Sequence, residues 1–118
     1  MIRFDNELYI EIIMVTINYR LGILGTGSFD RDGNWCLKDV LAALQWTQKN
    51  IESFGGDPDC VTLMGYSVGG MIVDALISSP KSKGLFHRAI SMSGNASSPW
   101  IINSRLQYWH VFSKTCNT

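Results

Sequence analysis

The sequence lacks both an excess of one charge and any long apolar run. Its 118 residues carry 10 Lys and Arg against 10 Asp and Glu, and no basic stripe occurs. Nucleic acid and anionic membrane surfaces are therefore not expected partners. No apolar stretch reaches the roughly 18 residues of a membrane helix, so no membrane span is expected. The first residues, interrupted by Asp5, Glu7 and Glu11, do not form a signal peptide, and the sequence leaves the localisation open.

Cysteine is scarce, and its spacing excludes the common metal sites. The three cysteines, Cys36, Cys60 and Cys116, are odd in number and lack metal-ligand spacing, so no metal is predicted and at least one thiol cannot pair within the chain. The sequence leaves open whether the cysteines are buried free thiols or whether two of them form one disulfide. Asn95-Ala96-Ser97 is a glycosylation sequon, which makes Asn95 a candidate for modification only if the chain is secreted.

Strand and helix patterns alternate along the chain, whose length fits one domain or part of one. Strands are predicted over residues 9–18, 60–65 and 88–92, helices over 70–79 and 104–114, and a further helix through Leu37, Leu41, Leu44 and Ile51. Gly55-Gly56-Asp57-Pro58 ends that further helix. This alternation predicts an α/β fold, in which crossover helices connect the strands of a parallel sheet.

The motif Gly65-x-Ser67-x-Gly69 lies between the second strand and the helix that follows it. This pattern is typical of a nucleophile elbow, where a serine on a sharp strand-to-helix turn exposes its hydroxyl in a strained conformation. Gly65, Gly69 and Gly70 are expected to keep the turn free of side chains, because a Cβ at Gly65 or Gly69 would strike the neighbouring backbone. The backbone N–H of Val68 would then stabilise a developing oxyanion.

The sequence does not supply the remaining members of a catalytic triad. His87 begins the third strand, at the opposite edge of a parallel sheet from Ser67, and a strand of about six residues would separate them by roughly 15–20 Å. His110 lies on the last predicted helix and is a weak alternative. Asp74 is the only acidic residue after Ser67, and as part of the nucleophile's own helix it is expected at the helix edge or paired. Ser93, at the end of the third strand, is a candidate to support the site by a hydrogen bond.

Several ordered blocks of sequence resemble the type-B carboxylesterases, the cholinesterase-like branch of the α/β-hydrolase fold. The blocks run from about residue 15 to residue 100. They are Val15-Thr16-Ile17-Asn18-Tyr19-Arg20-Leu21-Gly22, Gly33-Asn34-Trp35-Cys36-Leu37-Lys38-Asp39, Phe54-Gly55-Gly56-Asp57-Pro58, Gly65-Tyr66-Ser67-Val68-Gly69-Gly70, Ser82-Lys83-Gly84-Leu85-Phe86-His87-Arg88-Ala89-Ile90 and Ser93-Gly94. Insect members of the family look most similar.

The resemblance implies that carboxylic esters are the substrates, that Ser67 forms an acyl-enzyme which water hydrolyses, and that no cofactor takes part. It implies that residues 1–118 form part of a carboxylesterase domain, without its N-terminal oxyanion loop or the C-terminal segments that hold the acid and the histidine. The remainder of the hydrolase domain would be needed to complete the site. The sequence departs from the family at Val68, usually a small residue, at Tyr66, usually Glu, and at Cys36, usually Gly.

These observations favour a carboxylic ester hydrolase by family, with the isolated chain inactive for want of its base and acid. Two alternatives remain. One is a cholinesterase-like adhesion protein that binds partners without catalysis, which the intact Ser67 disfavours and Val68 mildly favours. The other is a non-functional truncated product, whose exposed sheet edges would make it prone to aggregate.

Overall fold

A computed structural model describes residues 2–4, 7–9, 12–26 and 33–97. The strands are β1 (Ile2–Phe4), β2 (Glu7–Tyr9), β3 (Thr62–Tyr66) and β4 (Arg88–Met92), and the helices are α1 (Gly22–Thr26), α2 (Trp35–Asn50) and α3 (Val68–Ile77). Short 3₁₀ turns occupy Ile51–Phe54, Pro58–Cys60 and Pro80–Ser82. The helix predicted over residues 104–114, which includes His110, lies outside the described residues, and so does Cys116.

Helix α2 forms where the apolar spacing predicts a helix, and it provides one wall of the core. Val40 and Leu44 recur on one face and are buried. The helix continues into a 3₁₀ turn that ends at Gly55, whose φ of 81° is a left-handed conformation that glycine adopts without a Cβ penalty. The Gly55-Gly56 stop signal is therefore confirmed.

Strands β3 and β4 form a parallel pair connected by α3. The register aligns Thr62 with Arg88 and Tyr66 with Met92. Ile72 and Leu76 of α3 join Val40 and Leu44 of α2 in one buried cluster, and Leu63 of β3 packs against it. Both helices therefore pack on the same small core beside the sheet, and the predicted α/β class is confirmed.

The predicted buried strand over residues 9–18 is wrong where the structure describes it. Tyr9 belongs to the short β2, which pairs antiparallel with β1, and residues 12–18 form no strand. Ile12 and Met14 are 78% and 72% exposed. A run rich in Ile, Val and Thr favours a strand only where neighbouring strands supply hydrogen bonds and cover its side chains, and among the described residues none pairs with this segment.

The two described cysteines, Cys36 and Cys60, are not cross-linked. Cys36 is half-buried, Cys60 is exposed, and both are free thiols. The guanidinium of Arg88 donates a hydrogen bond to Cys60 Sγ at 3.2 Å. Neither thiol is in a disulfide in this structure.

No helix within the described ranges is both long and apolar enough to cross a membrane.

An ion pair connects the segment before α1 to helix α2. The Arg20 backbone N–H and Nε–H donate to Asp39 Oδ2 at 3.0 and 2.8 Å, and Nη2 donates to Oδ1. The guanidinium also lies 4.7 Å from the centre of the Trp35 ring. A fork of parallel hydrogen bonds fixes geometry better than a single charge contact does. The pair therefore holds the backbone at Arg20 on the first turns of α2.

Acid should weaken this ion pair. The hydrogen bonds from Arg20 lower the pKa of the Asp39 carboxyl to about 2, whereas an unfolded chain has a value of about 3.9. The stabilisation is therefore complete above the unfolded value and is lost as the pH falls through the folded one. We expect the urea midpoint of the native chain to exceed that of Asp39→Asn at neutral pH, and this difference to shrink as the pH falls from about 5 to about 2. A difference that stays constant over this range would contradict the prediction.

Candidate active site

Ser67 occupies the sharp turn between β3 and α3. Strand β3 ends at Tyr66 and helix α3 begins at Val68, so one residue makes the whole connection. The φ and ψ angles of Ser67 are 54° and −118°. Such a conformation is rare for a residue with a Cβ and costs about 1–3 kcal/mol, so the surroundings must hold it in place. The strand–turn–helix context that the motif predicts is present.

Close contacts between backbone segments shape the turn. A Cβ on Gly65 would overlap the carbonyl group of Gly69, and a Cβ on Gly70 would lie 2.7 Å from the carbonyl oxygen of Met92. Gly69 differs from the expectation, because a Cβ there meets no atom within 4 Å among the described residues outside its own helix backbone and chain neighbours. Two of the three elbow glycines are therefore required by sterics here, and the predicted clash at Gly69 was wrong.

The backbone N–H of Val68 belongs to the first residue of α3, directly after the Ser67 turn. The first four N–H groups of a helix have no acceptor within the helix. The positive end of the helix dipole adds to the attraction for an anion. The Val68 residue is 51% exposed, and Ser67 is exposed as well. The oxyanion role of Val68 stays a prediction.

The described residues bring neither a base nor an orienting carboxylate to Ser67. His87 precedes β4 at the end of the sheet opposite Ser67, and its Nδ1 accepts a hydrogen bond from the Val61 N–H at 3.3 Å. Asp74 Oδ2 accepts the Ala96 N–H at 2.8 Å, which confirms that this carboxylate is paired. His87 and Asp74 therefore both form structural hydrogen bonds, and His87 lies at the opposite end of the sheet from Ser67.

The turn after β4 adjoins the elbow. Ser93 is exposed and has a φ of 53°, so the ends of two neighbouring strands both pass through the left-handed region. The supporting hydrogen bond proposed for Ser93 stays a prediction. Asn95 is exposed, and its Oδ1 accepts the Ser97 N–H at 2.7 Å. The sequon therefore lies on an accessible turn, and its modification also stays a prediction.

The sequence did not predict the role of one polar side chain beside the elbow, that of Ser91. Ser91 of β4 places its hydroxyl 3.0 Å from the carbonyl oxygens of both Gly70 and Gly94. The adjacent backbone contributes a further link, since the Ser67 N–H donates to the Met92 carbonyl at 2.9 Å. Within a strand pattern a serine carries no signal of such a role, and only the register of β3 with β4 reveals it.

Comparisons with known proteins agree with the blocks described above. A model described as the carboxylesterase family matches residues 4–117. The chain is 48% identical over 113 residues to Carboxylesterase 3 of Homo sapiens, 55% over 89 residues to Carboxylesterase 4A of Bos taurus, and 54% over 96 residues to a medium-chain fatty acyl-CoA hydrolase precursor of Anas platyrhynchos. These matches cover 93%, 73% and 79% of the chain but only 19%, 16% and 16% of the relatives. The three relatives are from vertebrates and lend no support to an insect origin.

Proposed function

Because the chain belongs to the carboxylesterase family, we propose that Ser67 is the nucleophile of a carboxylic ester hydrolase. The observation that carries the proposal is the turn itself, in which Ser67 adopts φ 54° between a parallel strand and a helix N-terminus. This segment of the α/β-hydrolase fold presents an exposed hydroxyl at the carboxyl edge of the sheet. Its substrates are carboxylic esters, the class that the family name indicates.

The proposed reaction has two steps. The Ser67 hydroxyl loses its proton to a base, and its oxygen attacks the ester carbonyl, while the Val68 N–H donates to the oxyanion that forms. The tetrahedral intermediate collapses to an acyl-serine, and the leaving alcohol takes up the proton. Water, activated by the same base, then hydrolyses the acyl-serine to a carboxylic acid and restores Ser67.

The base and its orienting acid are proposed to lie outside the described residues. His87 and Asp74 already form the hydrogen bonds described above. Loss of triad members costs on the order of 10⁴–10⁶ in rate. We therefore expect the 118-residue chain alone to turn over esters at no more than a trace rate, and the rest of a carboxylesterase domain to restore turnover.

A fluorophosphonate probe tests the proposal, because it forms a covalent bond only with an activated serine. The part of this chain that aligns with Carboxylesterase 3 of Homo sapiens, 113 residues, would replace its counterpart in that enzyme. We expect the grafted enzyme to be labelled at Ser67, as located by peptide mass spectrometry, and the isolated chain to remain unlabelled over the same time. The Ser67→Ala graft is the matched control and should lose all labelling. A folded graft that resists the probe would refute Ser67 as the nucleophile.

A further inference from the structure

The hydroxyl of Ser91 connects three backbone segments at the elbow. It lies on β4 directly opposite Gly65 in the parallel register. Its oxygen is 3.0 Å from the Gly70 carbonyl, in the first turn of α3, and 3.0 Å from the Gly94 carbonyl, in the turn after β4. A serine hydroxyl carries one proton, so it donates to these two acceptors in a shared or alternating bond.

The segments that Ser91 connects are packed backbone against backbone. A Cβ on Gly94 would overlap the Ser67 carbonyl oxygen and the Met71 nitrogen, and a Cβ on Gly70 would lie 3.2 Å from the Gly94 Cα. Glycines at both positions bring the elbow, the start of α3 and the turn after β4 into direct contact. Small rotations of α3 would open these contacts, because no side chain fills the space between the backbones.

We propose that Ser91 is a positioning residue for the nucleophile, which fixes the first turn of α3 against the end of β4. Ser67 adopts a strained conformation that costs about 1–3 kcal/mol and persists only if its surroundings impose it. The Ser67 N–H is held by the Met92 carbonyl on one side of the turn. On the other side of the turn, the Ser91 hydroxyl donates to the Gly70 carbonyl and so fixes the start of α3. Together these bonds fix the position of the Val68 N–H relative to the Ser67 side chain.

This inference rests on the proposed function in that Ser67 is taken as the nucleophile, but its test needs no catalysis. A cysteine at position 67 reports the geometry directly, because a helix N-terminus lowers the pKa of a nearby thiol. In the full 118-residue chain, Ser67→Cys would be combined with Cys36→Ser, Cys60→Ser and Cys116→Ser. The pKa of the new thiol is then read from the thiolate absorbance at 240 nm and from the pH dependence of its alkylation by iodoacetamide.

We expect Ser91→Ala to raise the pKa of the thiol at position 67 by about 0.5, the size of effect that a weakened helix N-terminal interaction produces. Ser91→Thr and Ser91→Val form a matched pair that suits a strand and differs only in the hydroxyl, so this pair decides the outcome if Ser91→Ala folds poorly. Thr should preserve the pKa and Val should raise it. Ser97→Ala, in the exposed turn beyond, should leave it unchanged.

Two outcomes would overturn the inference. In one, Ser91→Ala and Ser91→Val lower the melting temperature but leave the titration at position 67 as it was, so that Ser91 contributes only to stability. In the other, Ser91→Thr shifts the pKa as far as Ser91→Val does, which would exclude the hydroxyl as the cause. Neither outcome depends on the fluorophosphonate experiment, so failure of the proposed function and failure of this inference are distinguishable.

Discussion

The Gly65→Ala variant is expected to lose about 3 kcal/mol of folding free energy, the upper part of the usual range for an overpacked site. The added Cβ would overlap the carbonyl carbon and oxygen of Gly69 and lie 2.9 Å from the Gly70 nitrogen, and all three atoms are backbone. A flexible side chain could move aside, whereas this backbone belongs to the first turn of α3. Either the strand or the helix must shift, and each shift disturbs Ser67.

Gly69→Ala is the matched control within the same motif. A Cβ there meets no atom within 4 Å among the described residues outside its own helix backbone and chain neighbours, and Gly69 lies inside α3. Alanine favours a helix over glycine by up to about 1 kcal/mol. We therefore expect Gly69→Ala to melt at or slightly above the temperature of the native chain and Gly65→Ala to melt well below it, both followed by circular dichroism. Equal losses in the two variants would show that the elbow does not pack as described.

Replacing Val68 with proline is expected to reduce ester turnover by about 10²–10³-fold, the usual cost of one oxyanion donor. Proline lacks the N–H and is tolerated at the first position of a helix, where that N–H has no helical acceptor. The substitution removes the proposed donor and no intrahelical hydrogen bond, but proline also disfavours the ψ of −118° at the preceding Ser67, so the expected loss includes a displaced serine. Turnover of p-nitrophenyl acetate by the grafted enzyme measures the loss.

Val68→Ala separates the loss of the N–H from a change of side chain. It keeps the backbone N–H and removes a β-branched group beside Ser67, so we expect the rate to stay the same or to rise as crowding of the proposed acyl group is relieved. A Val68→Pro graft that melts normally and retains its rate within about three-fold would exclude the Val68 N–H from the oxyanion site.

The elbow was predictable because its signals are local. Glycines on either side of Ser67 mark the turn, the preceding apolar run indicates the strand and the following one the helix. The helix through Leu44 and the strand beginning at Arg88 were also predicted, since each has a clear period or boundary. This local pattern was sufficient to predict an α/β fold with a strand–turn–helix at Ser67, and the resemblance of ordered sequence blocks indicated the family.

The features that were missed depend on contacts between distant parts of the sequence. The run around Met14 looked like a buried strand, because composition alone does not show whether a neighbouring strand is present. The pair of Arg20 with Asp39 joins two segments, and nothing in either shows that the other lies beside it. Ser91 acquires its role only from the register of two parallel strands. Open space at Gly69 is likewise a property of packing rather than of the motif.

The parallel pairing of β3 with β4 also bears on when the Ser67 turn can form during folding. Thr62 and Arg88 are neighbours in the sheet but lie far apart along the chain, with the whole of α3 between them. Contacts of this kind form only after the loop-closure entropy has been overcome. The Met92 carbonyl and Gly94, which hold Ser67 in its strained conformation, arrive with β4. We therefore expect the Ser67 turn to reach its native conformation only after β4 has paired with β3, and to relax when β4 detaches.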